Sequence, residues 1–594
     1  MKFPYGISDF KKIATEGYFY CDRTDKIPLL EETNSQLFIR PRRFGKSLLL
    51  SMLENYYDVA KTDQFSEIFG HLAIGKNPTP LRNSYFILRW DFSCVDTSGS
   101  ADELKRVLFD HINSCIKGFL LYYRDYNLPE VEVDQNNCIN SINSLISAVR
   151  MGPYPIYLLI DEYDNFANTL MMGEQSSSVN GRYTTIVHDE GILRTLFKAV
   201  KSSTSSTMFD RVFITGVSPV VLSDITSGYN IAENIYFKPG FNDLCGFREE
   251  EVRGVIEQLV VECKLGAEKA DDALDLMKTY YNGYLFAVGL DEYLYNSTLC
   301  LYFFKQFQES CAYPRELLDD NLATDESKLE YIAQISQGQD LLVNLTQKGH
   351  EVVISQISKR FGVKEMLSNS SRDNIFLVSF LYYFGVLTLA GESSEGDVIL
   401  KVPNLVIQSL YVERVQRMLL PEPGNRDDGK FAAKQVYQKG NMQPLSDFVE
   451  NRYFTVFKNR DYRWANELTL KTAFLTLLYN DILYIMDSEP EIDRRYADLT
   501  MIIRPDKRHF TIFDVLIEFK FVTLKDVCIT GERAKQLSVE ELRELPEIKK
   551  ALLEGKEQAA LYGEKLEAKY GNLRLKKFVV AALGFERVCF EEVE

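Results

Sequence analysis

A lysine and a hydroxyl residue follow a glycine between a predicted strand and a predicted helix. Gln36-Leu37-Phe38-Ile39 is an apolar run, and Gly45-Lys46-Ser47 precedes an apolar-rich helical segment. This order is typical of a loop that binds nucleotide phosphates, where Lys46 could reach the β- and γ-phosphates and Ser47 could ligate Mg²⁺. The pattern usually carries a glycine where this chain has Arg40. Gly-Lys-Ser alone is common, so a basic loop without a ligand is the alternative.

A pair of carboxylates ends another predicted strand. Asp161 and Glu162 directly follow the apolar run Ile156–Ile160. In a parallel sheet the carboxyl ends of the strands form the ligand-binding edge. There Asp161 would hold Mg²⁺ and Glu162 would polarise the attacking water, although a solvated acidic pair is the alternative. The next strand ends at Thr215, whose hydroxyl could sense the γ-phosphate or cap a helix.

A second group of acidic and basic residues lies near the C-terminus. Asp498 begins one predicted strand, and Glu518 and Lys520 end the next. Strand alternation places Glu518 and Lys520 on one face. Asp498 and Glu518 could bind Mg²⁺ while Lys520 orients or activates a water molecule. A Glu-x-Lys at a strand end is also a common solvated pair.

The elements that must position the first group alternate between strand and helix. Four strands are predicted, and helices are predicted between them, which indicates an α/β fold with a parallel sheet. The strands are 36–39, 85–90, 156–160 and 211–215, and the helices are near 101–124, 138–150 and 191–201. The polar stretch 171–190 is predicted to be a mobile loop beside the carboxyl edge of the sheet.

The rest of the chain divides into a helical middle and a mixed C-terminal region. A helix followed by a hairpin at 387–402 would suit a winged-helix module. The clearest boundary is the core-poor segment 421–429. Beyond it we predict a helix at 467–485, strands at 497–504 and 509–519, a helix at 545–567 and a strand at 576–583.

Composition restricts the classes of function. The chain has 594 residues and a formal net charge of −17. A general nucleic-acid coat is usually basic, so any contact with DNA or RNA needs a local basic strip, for which the nearest candidates are Arg494, Arg495, Arg504, Lys507 and Arg508. The ten cysteines include no Cys-x-x-Cys pair, which disfavours zinc and fits a reducing compartment. We find no signal peptide and no apolar run long enough to span a bilayer, and we expect a cytoplasmic protein.

Several segments together resemble the AAA-ATPase-like proteins that pair this ATPase with a C-terminal nuclease-fold domain. They are Gly6–Phe10, Tyr20–Thr24, Arg40–Leu50, Asp161–Asp164, Val212–Val217, Leu244–Phe247, Glu249–Val252, Tyr281–Tyr284 and Tyr295-Asn296. In that family an arginine at the position of Arg40 is the usual form. The resemblance implies that Arg40, Arg43, Gly45, Lys46, Ser47, Asp161 and Thr215 bind ATP, with Ser47 and Asp161 on Mg²⁺. It also places Asp22-Arg23 near the base, whereas Tyr281-Asn-Gly-Tyr departs from the family's Tyr-Asp-Gly-Tyr.

For the C-terminal region the resemblance implies a PD-(D/E)XK nuclease-like domain with an αβββαβ core. Asp498, Glu518 and Lys520 would be catalytic, Asp498 and Glu518 would hold Mg²⁺, Glu467 would assist, and Gln558 and Tyr562 would match the family's helical Gln/Tyr pair. The domains would be an ATPase at 1–300, a helical or winged-helix region at 301–420 and the nuclease-like domain at 440–594. One hypothesis is a DNA or RNA nuclease under nucleotide control. A second hypothesis is a regulatory ATPase switch whose nuclease-like domain is only a binding module. A third is a scaffold that assembles partners. Whether the protein forms a homo-oligomer stays open.

Overall fold

A computed structural model describes most of the chain and divides it into two compact units. Unit 1 comprises residues 1–311 and 352–400, and unit 2 comprises 312–351 and 401–594. The described residues are 1–96, 101–165, 192–205, 209–219, 232–318, 326–333, 335–346, 351–358, 373–458, 466–487, 491–492 and 495–594. Among them, no helix is both long enough and apolar enough to cross a bilayer.

Unit 1 is built on a parallel five-stranded sheet in the order β2-β3-β4-β1-β5. Its strands are β1 (Ser35–Ile39), β2 (Phe86–Asp91), β3 (Ile156–Asp161), β4 (Phe209–Gly216) and β5 (Glu233–Asn234). The register pairs Asp91 with Asp161 and Ile39 with Gly216. The ends of β1, β2, β3 and β4 therefore meet at one edge.

Helices surround this sheet and continue beyond it. They are α1 (Phe10–Thr15), α2 (Ile27–Leu30), α3 (Lys46–Tyr57), α4 (Phe65–Phe69), α5 (Ala73–Lys76), α6 (Ala101–Tyr122), α7 (Cys138–Val149), α8 (Ile192–Ser205), α9 (Glu249–Glu262), α10 (Glu268–Tyr281) and α11 (Ser297–Ser310). α6 and α7 begin and end within a few residues of their predicted bounds. The predicted mobile loop at 171–190 lies outside the described residues.

A smaller sheet carries the predicted hairpin. After α12 (Glu326–Ala333) and α13 (Ser336–Leu345), which belong to unit 2, come β6 (Glu351–Ile354), α14 (Asn374–Tyr383), β7 (Thr388–Glu392) and β8 (Val398–Lys401). The strand order is β6-β8-β7. Ser393 N donates to Asp397 O at 2.8 Å and closes the turn between β7 and β8. The hairpin is confirmed, and the winged-helix assignment stays a prediction.

Unit 2 contains a mixed five-stranded sheet in the order β15-β14-β13-β12-β9. Its strands are β9 (Tyr484–Asp487), β12 (Leu499–Ile503), β13 (Asp514–Val522), β14 (Leu575–Leu583) and β15 (Arg587–Val593), with β10 (Glu491–Ile492) and β11 (Arg495–Tyr496) as a separate pair. β9, β12 and β13 are antiparallel, whereas β14 is parallel to β13. A parallel neighbour needs a crossover, and the chain makes it with a long helix.

The helices of unit 2 cover this sheet. They are α15 (Leu405–Leu419), α16 (Pro423–Lys439), α17 (Gln443–Phe448), α18 (Phe454–Lys458), α19 (Glu467–Leu478), α20 (Gly531–Lys535), α21 (Val539–Arg543) and α22 (Pro546–Tyr570). α22 is the crossover helix and packs on β13 and β14. Phe474 of α19 packs against Phe519 of β13, with ring centroids 5.2 Å apart.

One expectation about this region was wrong. The predicted helix at 467–485 was too long, because α19 ends at Leu478 and Tyr484 already lies in β9. Tyr479 leaves the helical conformation, and the polar pair Asn480-Asp481 follows it. The segment at 421–429, which stays the predicted domain boundary, contains the start of α16 at Pro423. Proline is favoured in a first helical turn, where its missing N–H is not needed.

The cysteines are only partly the scattered single residues that the sequence indicated. Cys263 and Cys311 form a disulfide, with Cα atoms 5.5 Å apart. It joins the residue after α9 to the residue after α11. Four of the free cysteines, Cys138, Cys245, Cys300 and Cys589, are buried.

Candidate functional site

The loop between β1 and α3 contains two residues with left-handed backbone. Gly45 has φ +98° and Arg43 has φ +69°, both in the left-handed region. Glycine adopts this region without strain, so Gly45 suits the turn that starts α3. The first N–H groups of a helix have no partner within it, and they point from the start of α3 toward the loop.

Lys46 lies inside this loop. Its Nζ donates to the carbonyls of Arg40 at 2.9 Å and Pro41 at 3.0 Å. Burial lowers the pKa of Lys46, while Asp161 and Glu162 oppose that shift electrostatically. Its direct partners are the neutral carbonyls of its own loop.

Arg40 points away from the loop interior. Its guanidinium donates to four backbone carbonyls, those of Ile39, Tyr236, Phe241 and Asn242, at 2.8 to 3.3 Å. It also lies over the ring of Phe286, 4.0 Å from the centroid. The side chain therefore ties the loop to residues 236–242. The predicted nucleotide binding by Arg40 stays a prediction. Because its side chain makes these other contacts, only its backbone could contact the nucleotide.

Other residues of unit 1 support the loop from outside. Phe44 packs edge-on against Tyr284 and Phe286, with centroids 4.9 and 5.3 Å apart. The Arg43 carbonyl accepts from Thr298 Oγ1 at 2.8 Å, at the start of α11. A Cβ on Gly385 would lie 2.5 Å from Pro41. These contacts stabilise the conformation of the loop, so the loop does not depend on a glycine at the position of Arg40.

Asp22 and Arg23, expected near the base, make structural contacts. Asp22 Oδ2 accepts from Ala73 N at 2.7 Å. Arg23 forms an ion pair with Glu251 at 2.5 Å and donates to the carbonyls of Asp243 and Gly246. Contact with the base stays a prediction.

Asp161 and Ser47 meet at the carboxyl edge of the sheet. Burial raises the pKa of Asp161, and the nearby hydroxyl of Ser47 counteracts part of that shift. Arg89 lies 3.4 Å from Asp161 Oδ2 and also 3.4 Å from Glu54 of α3. Arg89 and Asp91 were missed by the sequence reasoning. Strand register would have placed Asp91 opposite Asp161 and Arg89 two residues earlier, opposite Leu159, had the pairing of β2 with β3 been known.

Glu162 has an unusual backbone. Its φ is +48°, a region that costs energy for a residue with a side chain. Burial raises the pKa of its carboxyl group, and Lys46 counteracts the shift. With this conformation the backbone turns at Glu162, directly after β3 ends at Asp161.

Asp164, two residues further, is an anchor rather than a solvated acid. Its carboxylate accepts from Ser218 N at 2.8 Å, Ser218 Oγ at 2.9 Å and Val217 N at 3.2 Å. A Cβ on Gly216 would lie 2.5 Å from Asp164 Oδ1, so the glycine is needed for this approach. Asp164 thereby holds the end of β4 against the end of β3.

Thr215 lies between these elements, because β4 separates β1 from β3. Thr215 is fully buried, and its Oγ1 has no hydrogen-bond partner within the described part of the chain. A buried hydroxyl without a partner is costly, and such groups often mark ligand sites. The lysine, the Ser47–Asp161 pair and this hydroxyl fit a triphosphate with its magnesium ion.

The predicted C-terminal residues also come together in unit 2. Asp498 Oδ2 accepts from Phe519 N at 2.7 Å, and Asp498 N donates to Glu518 Oε1 at 3.3 Å. Lys520 Nζ lies 3.9 Å from Glu518 Oε2. Burial and the nearby Asp498 raise the pKa of Glu518 to about 9. Desolvation and the negative charge of Asp498 likewise raise the pKa of Glu467.

A lysine that the sequence reasoning missed completes this cluster. Lys471 Nζ lies 2.5 Å from Asp498 Oδ1 and 3.7 Å from Glu467 Oε1. Its spacing of four from Glu467 on a helix was the available signal, because such residues share a face. Over the described residues, no three His, Cys, Asp or Glu side chains are arranged to hold a metal ion.

The remaining C-terminal candidates occupy different surroundings. Gln558 and Tyr562 both lie on α22. Tyr562 is buried in the core that this helix covers, whereas Gln558 is exposed. Arg504 is fully buried and paired with Asp506, Lys507 pairs with the same Asp506, and Arg508 pairs with Asp514. Three arginine and lysine residues of the predicted basic strip are thus in ion pairs. Arg494 lies outside the described residues.

Comparisons with known proteins agree with the first site. Residues 4–226 match the model of a family described as "Predicted AAA-ATPase". The match includes β1, the loop with Lys46, β3 with Asp161, and β4 with Thr215. Over 556 residues the chain is 26% identical to an uncharacterized protein encoded in the vnfD 5' region of Azotobacter chroococcum mcd 1, covering 90% of this chain and 92% of that one. Residues 4–226 are thus similar to that predicted family, and the relative is of similar length.

Proposed function

We propose that unit 1 binds ATP with Mg²⁺ at the loop 40–47 and hydrolyses it. The observation that carries the proposal is the convergence at one sheet edge of Lys46, the neighbouring residues Ser47 and Asp161, and the buried hydroxyl of Thr215. The family match over residues 4–226 supports it independently.

Each of these residues has a separate task. Lys46 and the N–H groups at the start of α3 bind phosphate oxygens, and the Thr215 hydroxyl donates to the terminal phosphate. Ser47 and Asp161 are the side chains that would hold Mg²⁺, which when bound neutralises charge on the phosphates. Glu162, held after β3 by its left-handed backbone, orients and deprotonates the attacking water. Asp164 and Arg40 keep the surrounding loops in place.

The binding step is tested with Lys46→Ala. Charge-assisted hydrogen bonds contribute about 1.5–3 kcal/mol each, so the affinity for ATP should fall by at least about tenfold. Calorimetric titration with Mg·ATP measures this. Lys76→Ala, an exposed lysine at the end of α5, is the matched control and should bind as the wild type does. An unchanged affinity of Lys46→Ala would refute the proposal.

We propose as a second function that unit 2 is a PD-(D/E)XK-type nuclease acting on DNA or RNA under the control of the nucleotide state. The convergence of Asp498, Glu518 and Lys520 supports this, as does the order of α19, three antiparallel strands, α22 and a strand parallel to β13. Mg²⁺ is often held by only one or two carboxylates together with water and substrate phosphates. One aspartate and one glutamate side chain beside a lysine suit that chemistry.

The second function is tested by the nicking of supercoiled plasmid in Mg²⁺, with and without ATP, and on structured RNA. Asp498→Ala and Lys520→Ala should each abolish cleavage and leave ATP hydrolysis unchanged. Lys525→Ala, an exposed lysine of the same unit, is the control. If the wild type binds nucleic acid without cutting it, unit 2 is a binding module attached to a regulatory ATPase.

A further inference from the structure

Lys471 holds a position in the carboxylate cluster that a metal ion would need. Asp498 Oδ2 is occupied by Phe519 N at 2.7 Å, which leaves Oδ1 as the oxygen that faces the cluster. Lys471 Nζ lies 2.5 Å from that Oδ1. Both oxygens of the central carboxylate therefore already have a close partner.

The cluster needs a positive charge. Glu467, Asp498 and Glu518 lie close enough to influence one another, and Glu518 is almost fully buried. Carboxylates that share a buried site repel each other unless a cation or a proton neutralises them. Lys520 is 3.9 Å from Glu518, so the closer ammonium is that of Lys471, whose side chain is only 13% exposed.

A divalent cation and this ammonium exclude each other. Mg²⁺ binds carboxylate oxygens at about 2.0–2.1 Å, which is shorter than the present contact from Oδ1 to nitrogen. Two cations on one oxygen would repel at short range in a poorly solvated site. Binding of the metal ion at Oδ1 therefore requires Lys471 to leave.

We propose that Lys471 is the resident cation of this cluster and competes with a divalent metal ion for Asp498. The inference rests on the proposed metal-dependent role of unit 2. Lys471 acts as a positioning residue that keeps the carboxylates neutralised when no metal ion is bound. Its mobile four-carbon side chain, anchored on α19, can withdraw without unfolding the helix.

The first test is a titration of the full-length protein with Mn²⁺ alone, followed by electron paramagnetic resonance. Only the Mn²⁺ binding that Asp498→Asn abolishes is assigned to the carboxylate cluster. Lys471→Gln removes the competing charge and keeps a polar chain, so Mn²⁺ should bind at least about tenfold more tightly than to the wild type. Lys471→Arg keeps the charge and should bind Mn²⁺ as weakly as the wild type. Lys525→Gln is the control for a lost surface charge.

The outcomes separate the two proposals. Equal Mn²⁺ affinity in the wild type and Lys471→Gln, lost in both by Asp498→Asn, would overturn the role of Lys471 and leave the metal site standing. Absence of Asp498-dependent binding in every variant would overturn the metal site itself, and with it this inference.

A second measurement uses the wild type and stays valid if Lys471→Gln fails to fold. Amine-reactive labelling, read by peptide mass spectrometry, reports the accessibility of Lys471. Mn²⁺ should increase labelling of Lys471 several-fold and leave Lys525 unchanged. Labelling of Lys471 that does not respond to saturating Mn²⁺ would overturn the proposal.

Discussion

The two candidate sites of this protein both combine lysine with carboxylates, but they treat the lysine differently. In unit 1, Lys46 donates to two backbone carbonyls of its own loop. In unit 2, Lys471 makes a direct ion pair with Asp498. The direct partners of Lys46 are neutral dipoles, and Asp161 and Glu162 act on it only electrostatically, whereas Lys471 pairs directly with a carboxylate.

The difference suggests what each site is prepared to receive. A site whose cation is not neutralised attracts anions, and the orphan hydroxyl of Thr215 adds a donor for the same ligand. A site whose carboxylates are already neutralised accepts a new cation only by exchange. Under these proposals the first site receives a nucleotide, and a metal ion enters the second site only in exchange for Lys471.

The largest expected effect concerns the acid beside the phosphate loop. Glu162→Gln keeps the size of the side chain but loses the carboxylate, so ATP should still bind while hydrolysis falls by about 10²-fold or more. Phosphate release and calorimetric titration measure the two steps. Persistent hydrolysis in Glu162→Gln would show that another group activates the water. The role given to Glu162 in the first site would then be wrong.

Arg40→Ala tests whether the loop depends on its outer anchors. The change leaves four carbonyls without their charged donor, and stability should fall by at least about 3 kcal/mol, from charge-assisted hydrogen bonds worth about 1.5–3 kcal/mol each. Arg82→Ala, which removes an arginine that lies over Phe65, is the control. Chemical denaturation is the measurement, and equal midpoints for the two variants would mean that Arg40 does not anchor the loop.

Thr215→Val sharpens the assignment of the unpartnered hydroxyl. In the nucleotide-free protein the change removes a buried group without a hydrogen bond and should stabilise it by about 1 kcal/mol. The same change should weaken ATP hydrolysis, because the terminal phosphate loses a donor. Opposite signs in thermal unfolding and turnover are the expected signature. A variant that loses stability without nucleotide would show that the hydroxyl has a structural partner.

The last prediction concerns the pH dependence of stability in unit 2. The raised pKa of Glu518 means that the folded protein keeps this proton up to about pH 9, whereas the unfolded chain loses it near the ordinary value of 4.5. The unfolded chain therefore binds fewer protons in that window, and this group's contribution to stability is lost as the pH rises. Glu518→Gln should remove that part of the decline, and Glu564→Gln, an exposed residue of α22, should not. Parallel stability curves for the wild type and Glu518→Gln between pH 4.5 and 9 would contradict it.

Local patterns were sufficient for much of the first site. The strand before Gly45, the helix after it and the strand that ends at Asp161 have strong apolar runs, and the structure has all of them near the predicted bounds. Parallel pairing then forces their carboxyl ends to one edge. The helix predicted through residue 485 failed because the turn at Asn480-Asp481 and the short β9 have little periodicity of their own.

The sequence by itself determined the α/β class, the strand–loop–helix around Gly45 and the residue types of both candidate sites, because strand and helix periods and loop glycines act over a few residues. Only the tertiary structure decided where the long side chains go. Arg40 turned out to anchor residues 236–242, Asp164 to hold the end of β4, and Lys471 to reach Asp498. These partners are separated from one another by 27 to 202 residues in the chain, and a buried charge pairs with whatever group the packed fold brings within about 3 Å.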